Sequence, residues 1–327
     1  MTRIQQLISL PADNGLDVCE RVEGHGFGLY ETIGARQSQE DAAFACWYTK
    51  DHFNPLTPQE IGRRLWTSYH LLNQLGQKQF YSGTTASTTV YDGRGTLITA
   101  TLADSLSFAV IYGKQGDLLG VFRLNSIIHH PEVELERIRR AGGEVFFNRI
   151  NGRLAVSRAI GDYDFNPEVV CADAHIDIHS LAKIYGHLGI SAPCVARVQI
   201  ITTCDGFTEP LTSQTQKEHE GWLFDCIRRI PSPGQLQEHQ LAKKLAYKAL
   251  ARGSQDNISI AVQTLSATLP FLVGIYDGHG GKEASHYTAA NIGAVFDSQC
   301  SLTTKTYALQ PWSADKNFAI YSRDNKD

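Results

Sequence analysis

The feature that most constrains this chain is an acid placed where an apolar strand stops. Leu272-Val273-Gly274-Ile275-Tyr276 is a run of strand type, and Asp277-Gly278-His279-Gly280-Gly281 follows it directly. A strand that ends this way sets a carboxylate, a free carbonyl and a titratable imidazole at one sheet edge, where a metal ion can be held and a proton moved. On its own an Asp-Gly pair after a strand is an ordinary turn. Here the pattern recurs. The apolar run 198–203 stops at Cys204-Asp205-Gly206, and Gln255-Asp256-Asn257 opens the run 258–262. Glu40 and Asp41, preceded by Arg36, lead straight into the apolar stretch 42–48, and charge in that position needs a partner. In antiparallel neighbours one strand's start lies beside the next one's end. Asp205, Asp256 and Asp277 are therefore expected to converge at one edge.

The remaining elements are read from periodicity and punctuation. Thr57-Pro58-Gln59-Glu60 is a capping box with proline at the first helical position, and Ile61, Leu65, Tyr69 and Leu72 follow at helical spacing. The spacing predicts a helix over 57–76. A second helix is expected over 236–252, and an amphipathic segment from 282 to about 296. The segment 26–32 reads as a first strand. The β-rich runs 87–91, 96–101 and 107–112, broken at Asp92-Gly93 and Asp104-Ser105, read as hairpins of an antiparallel sheet. Arg158 and Asp162 flank a tight turn and are expected to form a structural ion pair. The division expected is a lead-in at 1–23, one domain at 24–297 with an irregular flap-like region at 163–197, and a polar tail at 298–327. With 327 residues, 42% of them hydrophobic and 20% charged, a large core can be buried. The net charge of −4 argues against nucleic-acid binding, and no apolar run reaches the roughly 18–20 residues of a membrane span. Seven cysteines without a Cys-x-x-Cys pair suit a reduced, cytoplasmic setting, and the N-terminus does not read as a secretory signal.

Crowding Asp41, Asp205, Asp256 and Asp277 together is tolerable when cations sit among them. An all-oxygen donor set selects Mg²⁺ or Mn²⁺ over zinc. Two such ions about 3.5–4 Å apart can share a water, lower its pKa and clamp a phosphoryl group. Arg36 would hold phosphate oxygens with its planar fork, and His279 would protonate the departing alkoxide.

Together, Arg36-x-x-x-Glu40-Asp41, Ser82-Gly83-Thr84-Thr85-Ala86, the turn at 100–105, Arg158-Ala159-Ile160-Gly161-Asp162, Cys204-Asp205-Gly206, Asp256-Asn257 and Asp277-Gly278-His279-Gly280-Gly281 cover most of residues 24–296. This set resembles the metal-dependent serine/threonine protein phosphatases of the 2C class. The resemblance implies an α+β fold of two packed antiparallel sheets flanked by helices. It also implies hydrolysis of phosphoserine and phosphothreonine by direct attack of a metal-bridging water or hydroxide. Asp277 would bridge two Mg²⁺ or Mn²⁺ ions, with the Gly278 carbonyl on one and Asp205 and Asp256 on the other. Glu40 and Asp41 would act directly or through water. Asp104 matches a position for a third, weaker ion, where its usual aspartate partner is replaced by Glu209. The sequence also departs from the family in order. Its Asp-Gly-His block normally follows the Arg-x-x-x-Glu-Asp strand, whereas here the stretch 270–297 comes last. A phosphorylated protein is the expected substrate and a monomer the expected state. The sequence does not distinguish action in its own cell from delivery into another. The alternative is a catalytically impaired binding or regulatory module, which would be expected to have lost a metal acid.

Overall fold

The computed structural model describes residues 3–9, 16–22, 25–212, 214–265, 268–315 and 317–321. Among the described residues thirteen strands form two main sheets: β1 (Arg3–Ser9), β2 (Leu16–Val22), β3 (His25–Thr32), β4 (Ala42–Tyr48), β5 (Ala86–Tyr91), β6 (Thr96–Leu102), β7 (Leu106–Gly113), β8 (Leu118–Arg123), β9 (His175–Ser180), β10 (Val195–Thr203), β11 (Ile258–Thr264), β12 (Phe271–Tyr276) and β13 (Ile320–Tyr321). One sheet runs β1-β4-β12-β5-β6-β9-β13, the other β2-β3-β11-β10-β7-β8. The pairings are antiparallel except at the edge, where β13 lies parallel to β9.

Alternation along β12 explains the layering. Phe271, Val273 and Ile275 meet Ala45, Trp47, Ile111 and Ile200 between the two sheets. Leu272 and Tyr276 point the other way, into a cluster with Leu65 and Phe296 from α1 (Pro58–Gly76) and a later helix, Glu283–Ser301. A strand covered on both faces reads as an unbroken apolar run, as β4 and β12 do. The outer face of the second sheet packs Phe108 and Ile260 against Leu223 and Leu245 of helices Gln216–Arg228 and Glu238–Ala251. The result is four layers, helix–sheet–sheet–helix, an α+β sandwich as expected.

The helix from Pro58 carries the expected capping box between Thr57 and Glu60. Other expectations are corrected. The turn at Asp104 joins the two sheets instead of closing a hairpin, with Ala103 at φ 65° as the chain crosses over. Within 163–197 lies β9, paired with β6 over its whole length, followed by the helix Leu181–His187. The sequence His175-Ile176-Asp177-Ile178-His179 reads as polar, yet its polar face is buried and bonded: Asp177 accepts from the Ser126 amide, and the His179 ring meets the Leu124 carbonyl. Residues from the lead-in supply β1 and β2, pairing with β4 and β3. The helix expected to fade near 296 runs to Ser301, and β13 returns the tail to the sheet. The helix Gln216–Arg228 was not anticipated, although Thr215 and Glu218 form a second capping box that signals its start.

Candidate metal centre and catalytic groove

Strand polarity gathers the acids. Ala42 pairs with Tyr276, so Asp41 before β4 and Asp277 after β12 stand at the same end of one sheet. Thr203 pairs with Ile260, which puts Asp205 after β10 near Asp256 before β11 in the other. Asp104, at the crossover between the sheets, faces the same space. A cavity of about 870 Å³ opens there, lined by Arg36, Glu40, Asp104, Asp205, Asp256, Asp277, Gly278 and His279. Arg149, Arg153 and Phe165 also line it, as does Asp162 beside His279. Every site residue expected from the sequence lines it except Asp41, which lies beneath, and Glu209.

The acids are short of positive charge. Burial, reinforced by Asp104 and Asp256, raises the Asp205 carboxyl to about 7. Burial also brings Asp41 to about 7, with Asp205 adding to the rise and hydrogen bonds partly offsetting it. Burial and four neighbouring aspartates raise Asp277 well above its ordinary range. Asp104 rises to about 6, again through burial, although His279 opposes it. Asp41 Oδ2 accepts from the Ser259 hydroxyl at 2.6 Å, while its buried Oδ1 has no hydrogen-bond partner. Ligand atoms of Asp41, Asp277 and the Cys204 thiol lie within 4.8 Å of one another. A buried, unpartnered carboxylate oxygen among acids that cannot all ionise is the environment a hard cation completes, so the residues fit Mg²⁺ or Mn²⁺.

Local structure around the acids is dictated by close approaches. A Cβ on Gly278 would sit 2.3 Å from the Glu40 carbonyl, so only glycine lets the two loops touch. Thr85 donates its amide, and Thr84 its hydroxyl, to the Asp277 carbonyl at 2.9 and 3.0 Å. Ser82 accepts from the Ala284 amide at the start of the following helix. The Ser82–Ala86 stretch thus serves to seat the Asp277 loop. Asn257 has a role the sequence did not disclose. Its Nδ2 donates to the carbonyls of Ile33 and Ser38, and its Oδ1 accepts from the Glu40 amide, clamping the loop that carries Arg36. Arg36 itself reaches Asp256 at 2.5 Å, with much of its side chain exposed at the rim.

The expected Arg158–Asp162 pair does not form. Arg158 bonds both oxygens of Glu134, and Asp162 instead meets His279, Oδ2 to Nε2, at 2.7 Å. A short ribbon pairs Gly83–Thr84 with both Ile160–Gly161 and Gly278–His279, which brings these two residues together. A Cβ on Gly83 would lie 2.1 Å from the Asp162 carboxylate and 2.3 Å from the imidazole, so the contact requires glycine there. Burial would lower the His279 pKa. The hydrogen bond and charge of Asp162, with Asp104 and Glu40, outweigh it and hold that pKa above its ordinary value.

A sequence model of the family Protein phosphatase 2C matches residues 64–258, more than half of the chain. This chain belongs to the protein phosphatase 2C family. The match stops short of Arg36–Asp41 and of Asp277–His279, which the fold joins to it. Protein phosphatase 1F of Homo sapiens is 30% identical over 290 residues, covering 85% of this chain and 57% of that protein. Protein phosphatase 2C homolog 2 of Hypocrea jecorina is 34% identical over 162 residues, covering 46% of this chain and 32% of that protein. The chain spans about a third to somewhat over half the length of these curated relatives. Among solved structures, serine-threonine phosphatase 2C from Toxoplasma gondii shares the fold, with TM-score 0.51 at 16% identity over 80% of this chain and 99% of that one. A C. elegans sex determining protein does so too, with TM-score 0.51 at 19% identity over 76% of this chain and 66% of that one. Among the described residues no helix is long and apolar enough to cross a membrane.

Proposed function

We propose that this chain hydrolyses phosphoserine and phosphothreonine in proteins, with Mg²⁺ or Mn²⁺ held by Asp277, Asp205 and Asp256, the Gly278 carbonyl, and Glu40 and Asp41 directly or through water. The observation that carries the reading is convergence. Arg36, the acids Glu40, Asp104, Asp205, Asp256 and Asp277, and His279 come from separate strand ends and line one groove. Bound divalent ions would supply charge neutralisation and a water of lowered pKa. The chain's own groups do the rest. Arg36 at the rim offers guanidinium donors to phosphate oxygens and is held in reach by Asp256 and the Asn257 clamp. His279, whose protonated form Asp162 favours, gives its proton to the alkoxide that leaves. Most of residues 163–197 belong to the fold rather than to the groove. Selectivity therefore falls to the wall formed by Arg149, Arg153 and Phe165.

The test is hydrolysis of a phosphothreonine peptide and of p-nitrophenyl phosphate with Mn²⁺, with Mg²⁺ and with EDTA, alongside Asp205→Asn and Asp277→Asn. Turnover that needs the metal and is lost in both variants is expected. Undiminished turnover in EDTA, or an active Asp277→Asn protein, would overturn the reading.

A further inference from the structure

Glu209 is the one acid of the expected ligand set that is neither in the groove lining nor beneath it. It follows the turn after Asp205, and its amide donates back to the Asp205 carbonyl at 2.8 Å. Its side chain turns to the neighbouring loop. There Oε2 accepts from the Gln255 amide at 2.7 Å, the Asp256 amide at 3.2 Å and the Ser254 hydroxyl at 2.9 Å. The same hydroxyl lies 2.7 Å from the Gly206 carbonyl, so its single proton is shared between two acceptors on the Asp205 side. The far side of the 254–256 loop is fixed as well, since Ala35 donates to the Gln255 carbonyl at 2.9 Å.

We infer that Glu209 is a positioning residue, which locks the Asp256 loop against the Asp205 turn, and is not a ligand of a third ion. This rests on the metal-dependent reading of the groove only for its consequence. The lock itself is a set of hydrogen bonds within the chain. A carboxylate oxygen taking two backbone amides is a strong, charge-assisted acceptor. The glutamate side chain is one methylene longer than aspartate's, and an aspartate here would fall short of the amides. Asp104 is thereby left without its usual second carboxylate. Outer groups that orient ligands typically tune affinity about 10–100-fold.

Three variants separate the roles, read by Mn²⁺ titration calorimetry and by hydrogen exchange at the amides of Gln255 and Asp256 in EDTA. Glu209→Gln keeps an acceptor oxygen and should bind Mn²⁺ within a few-fold of wild type, with slow exchange. Glu209→Ala and Glu209→Asp should both speed exchange and weaken Mn²⁺ about 10–100-fold without changing the number of ions bound. If Gln and Ala instead each lose one bound ion, Asp retains it and exchange is unaltered in all three, Glu209 is a ligand and the inference falls. If wild type binds no Mn²⁺ at all, the metal reading of the groove fails, and the exchange rates in EDTA still decide the lock.

Discussion

Glu134 and Asp41 are both withdrawn from water, and the chain treats them in opposite ways. Glu134 receives Arg158 on both oxygens at 3.0 and 2.9 Å, Arg137 at 3.0 Å and the Ser157 hydroxyl at 2.6 Å. Burial would raise its pKa, but the Arg158 hydrogen bonds and charge carry it far below the ordinary carboxylate range. Asp41 finds only uncharged donors, and burial raises it to about 7, as it does Asp205. The first cluster is complete as folded. The second is incomplete, and the missing charge is positive. Buried carboxylates that the chain neutralises itself are architecture; those left unneutralised mark where something else binds.

This contrast can be broken most decisively by paired substitutions. Asp277→Asn should lower metal-dependent turnover by more than about 10–100-fold, the loss typical of outer-shell partners, while leaving the metal-free protein as stable as wild type or more so. Glu134→Ala should do the reverse to stability, costing about 3–5 kcal/mol in urea denaturation because the largely buried Arg158 loses its carboxylate partner. Equal destabilisation by both would erase the distinction.

The next effect concerns His279. His279→Ala should slow hydrolysis of the phosphothreonine peptide by about 10²–10⁴-fold. It should affect p-nitrophenyl phosphate far less, because nitrophenolate leaves without a proton. Equal losses on the two substrates would remove His279 from the acid role.

A subtler readout is pH. An Asp205 that ionises near 3.8 when unfolded and about 7 when folded binds more protons in the native state between those values. Its contribution to stability therefore falls as pH rises through that window. In EDTA, wild type should lose stability relative to Asp205→Asn from about pH 4 to 7, and Mn²⁺ should reverse the loss. Glu134, with its pKa depressed, should contribute stability above its ordinary 4.5 that is lost as pH falls below it. The smallest effect expected is that of Asn257→Ala. It removes the clamp on the Arg36 loop at a cost of about 1–3 kcal/mol, and should raise KM more than it lowers kcat.

Much of this was legible along the chain. Apolar strands announced themselves by composition, the first helix by Thr57, Pro58 and Glu60, and the acid cluster by its position at strand ends. What misled was polarity out of context. His175, Asp177 and His179 look like loop residues, yet they occupy one buried face of a strand because Ser126 and Leu124 come to meet them. Arg158 and Asp162 look like partners because they are four residues apart, yet a tight turn separates them and each finds a better-placed opposite charge.

Which acids stand at strand ends, and that antiparallel pairing brings them together, can be read along the chain, since polarity and alternation are local properties of neighbouring residues. Which remote partner each charge meets emerges only from the folded chain: Glu134 for Arg158, Asp162 for His279, the 254–256 loop for Glu209. Those choices depend on approaches of a few ångströms between segments far apart in the chain. They are settled by glycines such as Gly83 and Gly278, whose missing side chains leave the room.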